Sequence, residues 1–340
     1  MNGNAAYNKR VHWADVLKFL GIFVIYLGHF GESAGKLYPF VYTYHVPLFF
    51  FVSGFFADIK KGETFFSFVK KKFQKLMVPY FVFVAFSILM HAVQYDLAAG
   101  PLQYELQRYV FAVRNTLLHS SLWFFSCLFV VSMLYRLILM ITKSKWAVLA
   151  ISMATACFCQ FEQPSWFWNV DSALLYLVYY ALGNICFSDI NKYRYEYFQL
   201  KGRLVYILLV LISFIIAVKT YFFGSLYLIL KVLDIDLPKQ AEAFFTVFNT
   251  AIILFANIQL AFLLERNNLF RRIGKETLLL CGVEFITKNL LQSIFAMLGI
   301  QIRLDTPLIT LLYTVLCIAV SYKVFVPLLH RYFGRVLGMI

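Results

Sequence analysis

Lys18 and His29 stand eleven residues apart in the first long apolar segment, DVLKFLGIFVIYLGHF. At helical pitch that separation is about three turns and roughly 16 Å of rise, so both side chains fall on one stripe. An ammonium and an imidazole are expensive to hold in an apolar helix, which makes the pair a candidate functional site. The competing reading has Lys18 reaching out to a headgroup and His29 capping the helix near the opposite face. Asp15, Ile22 and Ile25 continue the stripe in steps of three and four. Asp15 can pair with Lys18 near one membrane boundary and leave its charge available to an anion. A neutral imidazole at His29 can take a proton from a hydroxyl.

The next apolar segment, YPFVYTYHVPLFFFVSGFF, carries His45 two residues before Pro47. Its imidazole either faces the polar stripe of the first helix or bonds a carbonyl freed by the proline. Ser53 and Gly54 permit a neighbouring helix to approach closely. Lys72 and Lys75 in FVKKKFQKLMVPYF share a helix face; they serve either membrane topology or a phosphate-attracting rim. Trp123 opens a later span, as an interfacial anchor or as a substrate contact. Glu284 and Lys288 are four apart within an apolar run, where an ion pair is more plausible than two isolated charges. The six cysteines lack metal-ligand spacing, so no metal is expected. Nothing matches GxSxG, a Walker loop or HExxH, which argues against a serine hydrolase, an NTPase and a zinc protease.

What must position these residues is a membrane bundle. The chain is 61% hydrophobic and only 14% charged over 340 residues, a composition without enough charge for a water-soluble surface. Apolar runs recur along the whole length, which predicts one membrane domain over 1–340. Apolar windows give about ten spans, at 14–32, 39–57, 77–96, 121–141, 146–161, 171–187, 203–222, 243–264, 277–299 and 307–328. The stretch FFGSLYLILKVL is a further candidate for a re-entrant or interfacial helix. The first segment has no small-residue cleavage site and is expected to stay as a helix. Lys and Arg gather in alternate loops, with about a third as many in the others, which predicts cytoplasmic N- and C-termini. The net charge of +14 is thereby explained by topology, and nucleic acid is not an expected partner.

Taken together these segments resemble the acyltransferase-3 family, bacterial membrane proteins that O-acylate cell-surface glycans. Lys18 and His29 match its signature of a basic residue, ten intervening residues and a histidine. YHVPLFFFVSGFF is close to the family's His-x-Pro-Leu-Phe-Phe-Phe-x-Ser-Gly pattern, with His45 in the matching place. Lys72 and Lys75 before Pro79 and Tyr80 stand where the family carries an Arg-x-x-Arg pair, and the LWFF segment around Trp123 matches another common element. Lysine for arginine keeps the charge and loses the bidentate fork. Glu284 lies roughly where many relatives carry a late histidine. No appended soluble esterase-like domain is expected.

The resemblance implies an all-α bundle of about ten transmembrane helices in a bacterial plasma membrane. It implies transfer of a short acyl group, acetyl by default and succinyl as an alternative, from cytoplasmic acyl-CoA to a sugar hydroxyl of a glycan or lipid-linked saccharide. Acyl-CoA enters as a substrate, with no permanently bound cofactor. His29 would act as general base, with His45 and Lys18 beside it in catalysis. Lys72, Lys75 and Lys18 would hold the donor phosphates, and Asp15, Trp123 and Glu284 would contact substrate. Rival classes are a polysaccharide or lipid-linked-sugar exporter, which needs no CoA, and a ligand-binding membrane sensor, which turns nothing over. A homodimer is compatible with the sequence.

Overall fold

The computed structural model describes residues 10–59, 62–95, 99–113, 117, 120–162, 165–199, 203–222 and 240–337, and every regular element among them is helical. In chain order the helices are α1 (His12–Gly28), α2 (Leu37–Tyr42), α3 (His45–Gly54), α4 (Phe65–Lys72), α5 (Val78–Tyr95), α6 (Ala99–Phe111), α7 (Trp123–Thr142) and α8 (Lys145–Glu162). They continue as α9 (Val170–Gln199), α10 (Arg203–Phe222), α11 (Gln240–Leu264), α12 (Asn268–Lys275), α13 (Thr277–Met297), α14 (Pro307–Val320) and α15 (Val326–Phe333). Among the described residues six helical stretches are long and apolar enough to cross a membrane: Phe65–Met90, Trp123–Thr142, Phe167–Arg194, Glu242–Leu264, Thr277–Met297 and Pro307–Phe333. Phe248, Phe255, Leu312 and Val315 on their outer faces, and Leu211 and Ile215 on α10, are exposed, as a lipid-facing belt requires. The chain is an all-helical, multi-pass membrane protein. Beyond Phe222 the stretch FFGSLYLILKVL lies outside the described residues.

Helix α1 is the axis of the bundle. It packs against α3, α11, α12, α13 and α14 and buries Trp13, Leu17, Ile22 and Tyr26 completely. It ends earlier than the expected 14–32: His29 is its C-cap, donating its backbone N–H to Ile25 O at 3.0 Å, and Gly31 at φ +60° turns the chain away. A side chain at the C-cap is freed from the helix wall, so His29 is presented at the end of α1.

Two further departures from the expected spans lie beside prolines. The single helix expected over 39–57 is two short ones, α2 and α3, broken at Thr43 and Tyr44. Pro47 has no N–H for the carbonyl of Thr43, and the hydroxyl of Thr250 on α11 donates to that carbonyl instead, at 3.3 Å. The helix expected from residue 77 starts twelve residues sooner, at Phe65, because the lysine-rich segment is a helical lead-in. It passes through a π turn at Phe73–Met77 just before Pro79, and a second π turn at Ser321–Phe325 precedes Pro327. In each case the widened turn absorbs the carbonyl that the proline cannot serve.

Glycine permits a backbone contact between α3 and α9. A Cβ on Gly54 of α3 would strike the carbonyl oxygen of Tyr180 on α9, and one on Gly183 would strike that of Phe51. The two backbones touch there, and Asn184 donates across the contact to Gly54 O at 3.1 Å. This pins the histidine-bearing α3 against α9.

Candidate active site

At the end where α1 begins, four lysines converge. Lys18, Lys72, Lys75 and Lys275 line one cavity of about 230 Å³ whose walls are otherwise mainly apolar, including Ile22, Ile25, Phe49, Phe124 and Leu128. Lys72 reaches it from the end of α4 and Lys75 from the π turn before Pro79, and Lys72 lies 5.6 Å from the centre of the Phe68 ring. The carboxylate of Asp15 accepts from Arg10 Nε at 2.7 Å and lies 3.5 Å from Lys18 Nζ, so it is shared between two cations. Four lysine side chains around a mainly apolar cavity concentrate positive charge there, which favours an anionic group.

Toward the other end of α1 a second cavity, of about 170 Å³, is lined by His29, Tyr42, His45, Ser121, Trp123 and Tyr176. Ile25, Phe124 and Cys281 line both cavities, which therefore abut. The stripe Lys18, Ile22, Ile25 and His29 runs along this shared path.

Two imidazoles face each other in the second cavity, their ring centres 6.5 Å apart and nearly perpendicular. His45 Nδ1 lies 2.9 Å from the carbonyl oxygen of Val41. A carbonyl only accepts, so Nδ1 carries the hydrogen, and in the neutral ring Nε2 is left as an acceptor. His29 Nδ1 lies 2.9 Å from Glu284 Oε2 on α13. A carboxylate likewise only accepts, so Nδ1 of His29 is the donor and its Nε2 lone pair is available as a base.

Glu284 is almost wholly enclosed. Its Oε1 is 2.5 Å from Lys288 Nζ, and Ser121 Oγ donates to Oε2 beside His29. Lys288 in turn donates to Tyr26 O at 3.0 Å and sits 3.9 Å from the centre of the Phe30 ring. A buried carboxylate survives only when paired and fully hydrogen-bonded, and each oxygen here has its partners. The arrangement can orient an imidazole, hold its tautomer and stabilise the charge it gains on taking a proton.

The structure brings His29, His45, Trp123 and the Glu284 pair together, and Lys18, Lys72 and Lys75 together in the neighbouring cavity. Two expected substrate contacts stand elsewhere. Asp15 is at the lysine end, occupied by Arg10 and Lys18, because a buried carboxylate takes the nearest cations. Glu284 stands behind His29 with its oxygens committed to protein groups. Lys275, in the lining of the lysine cavity, was not singled out from the sequence; its signal is its place at the end of the basic helix NLFRRIGK. Ser121 gave no signal beyond its place one residue before LWFF.

The structure is thus a helical membrane bundle with a histidine held by a buried carboxylate in one cavity and four lysines in the cavity that abuts it. Residues 11–326 match the family model described as an acyltransferase domain, that of the acyltransferase-3 family, and the chain belongs to that family. It is a membrane acyltransferase. No curated protein and no solved structure matches the chain.

Proposed function

We propose that the protein transfers a short acyl group, acetyl first among them, from cytoplasmic acyl-CoA to a sugar hydroxyl of a cell-envelope glycan or lipid-linked saccharide. The observation that carries this reading is the pair His29 and Glu284, with His29 lining the cavity that abuts the lysine-lined one. The nucleotide phosphates of CoA suit Lys18, Lys72, Lys75 and Lys275, and the pantetheine arm suits the apolar shaft past Ile25, Phe124 and Cys281. The thioester carbonyl then meets the acceptor hydroxyl beside His29. Nε2 of His29 takes the hydroxyl proton as the oxygen attacks the carbonyl carbon; the C–O bond forms, the C–S bond breaks, and the same proton passes to the departing sulfur. His45, an acceptor at Nε2 in its neutral form, orients the incoming hydroxyl. Trp123 walls the cavity at the acceptor. Glu284 acts through His29 as a positioning residue.

The finer arrangement follows the sequence. Ten spans in one domain, with both termini in the cytoplasm of a bacterial cell, put the lysine cavity on the cytoplasmic side and the histidine cavity toward the outside, so donor and acceptor approach from opposite faces. The test is His29→Gln in purified protein supplied with acetyl-CoA and envelope glycans from cells lacking the gene. Turnover falls by about 10²- to 10⁴-fold, the usual worth of a general base, with acetyl-CoA affinity and thermal stability unchanged. Near-normal acetylation in that variant removes His29 as the base.

A further inference from the structure

A third cavity, of about 340 Å³, adjoins the histidine cavity and is distinct from both cavities described above. It lies between α8, α9, α11 and the break separating α2 from α3. Tyr42 and Tyr176 line it and the histidine cavity alike, so the two spaces share a wall of aromatic rings. Those rings are firmly held: Tyr176 is stacked on Phe50 at 4.9 Å, and Tyr42 lies 4.6 Å from the His45 ring. Its volume is in the range of small-molecule sites, about 300–1,000 Å³.

Its chemistry is distinctive. Gln160, Thr246, Asn249 and Thr250 supply amides and hydroxyls from two helices, and none of the described residues lining it is Asp, Glu, Lys, Arg or His. The lysine cavity a short distance away is the opposite in character, with four ammonium groups. Asn249 Oδ1 is buried and has no hydrogen-bond partner among the described residues. Buried amide oxygens are rarely left unpaired, so an orphan facing a cavity calls for a group that enters it. A hydroxyl meets that need in either orientation of the amide, because it both donates and accepts.

We propose that this chamber is the acceptor subsite and that it takes an uncharged sugar ring, with Asn249 bonding one ring hydroxyl while another is presented to His29 past Tyr42 and Tyr176. The inference rests on the acyl-transfer reading for the identity of the reaction, and it adds the class of acceptor. Aromatic walls match the C–H faces of a pyranose, and neutral amides and hydroxyls match its rim. A uronic acid or a phosphate-bearing unit would bring a charge into a chamber whose described lining residues include no cation, which disfavours such acceptors.

The test uses full-length protein in nanodiscs with His29→Gln as background, so that binding is read without turnover. The probes are neutral methyl glycosides of common hexoses and the matching uronic acids, titrated by saturation-transfer NMR. At least one neutral glycoside binds, its uronic acid binds at least about tenfold more weakly, and Asn249→Leu weakens the neutral one by about tenfold, as loss of one hydrogen bond to a ligand predicts. Ala243→Phe, which fills the chamber from α11, abolishes binding. Acetyl-CoA affinity in the same preparations reports folding. Glycoside binding unaffected by either substitution, preference for the uronic acids, or no neutral glycoside bound overturns the subsite. Acetyl-CoA that does not bind the parent protein, alongside glycosides that do, leaves the subsite standing and sinks the acyl-transfer reading.

Discussion

Replacing Glu284 by glutamine tests the heart of the site, because the change keeps the shape and removes one charge. In the native site the carboxylate accepts from His29 Nδ1 at 2.9 Å and meets Lys288 at 2.5 Å. A hydrogen bond to a charged group is worth about 1.5–3 kcal/mol, and this one strengthens as His29 becomes an imidazolium, so its loss falls on the transition state. That alone is roughly 10- to 150-fold in rate. Glutamine can also turn its amide N–H toward Nδ1, which moves the imidazole proton to Nε2 and takes away the base. The combined expectation is a kcat lower by about 10²- to 10⁴-fold with acetyl-CoA affinity unchanged. Stability falls as well, because Lys288 loses its counter-charge; breaking a buried pair costs about 3–5 kcal/mol. The carbonyl of Tyr26 and the ring of Phe30 keep part of that in hand. The double variant Glu284→Gln with Lys288→Met removes the stranded ammonium, so melting temperature recovers while activity does not. Acetyl transfer from radiolabelled acetyl-CoA and thermal melting in nanodiscs separate the two effects. A single variant that binds acetyl-CoA and retains kcat within about threefold of the parent refutes the oriented-imidazole argument.

Three further outcomes follow from the packing. Lys72→Ala combined with Lys75→Ala weakens acetyl-CoA binding by about tenfold or more at low salt, and the gap narrows as salt is raised, since exposed phosphate contacts are screened; calorimetry at two ionic strengths reads this, and equal affinities remove both residues from the donor site. Cys281→Phe places a ring where the two cavities meet, so acetyl-CoA still docks through its phosphates while transfer stops; full transfer by that variant means the acyl arm takes another route. Gly54→Ala drives a methyl group into the Tyr180 carbonyl and lowers stability by about 1–3 kcal/mol, visible as a lower melting temperature; an unchanged melting temperature contradicts the close approach of α3 and α9.

Much of this was legible because membrane physics is written locally. Lys18 and His29 are on one helix, and a spacing of eleven fixes their common stripe whatever surrounds them. The apolar runs likewise mark α7, α11 and α13 to within a few residues, and the start of α14. The break at Thr43 and Tyr44 was signalled by Pro47, yet whether proline bends a helix or splits it depends on what serves the freed carbonyl, here Thr250, more than two hundred residues away. The lysine-rich lead-in to α5 was hidden because a helix with basic residues on its face fails a hydropathy window. The partner of His29 lay out of reach for the same reason as Thr250: Glu284 is 255 residues distant, and its i, i+4 pairing with Lys288 gave it a complete local explanation. A buried acid in an apolar helix has room for more than one partner, and that was the available clue. The third cavity had no signature, since Gln160 and Asn249 are unremarkable until α8 and α11 are placed around one space.

The central claim is that a donor held by lysines brings its acyl group beside His29, whose imidazole takes the proton of the attacking hydroxyl. It is tested most directly by a structure with a non-hydrolysable acetyl-CoA thioether bound. The account predicts the diphosphate among Lys18, Lys72, Lys75 and Lys275, the arm passing Cys281, and the acyl carbonyl beside His29 with roughly 3–3.5 Å left for an attacking oxygen held at Nε2. An analogue whose acyl group lies outside the histidine cavity, or whose phosphates bind away from the four lysines, contradicts it.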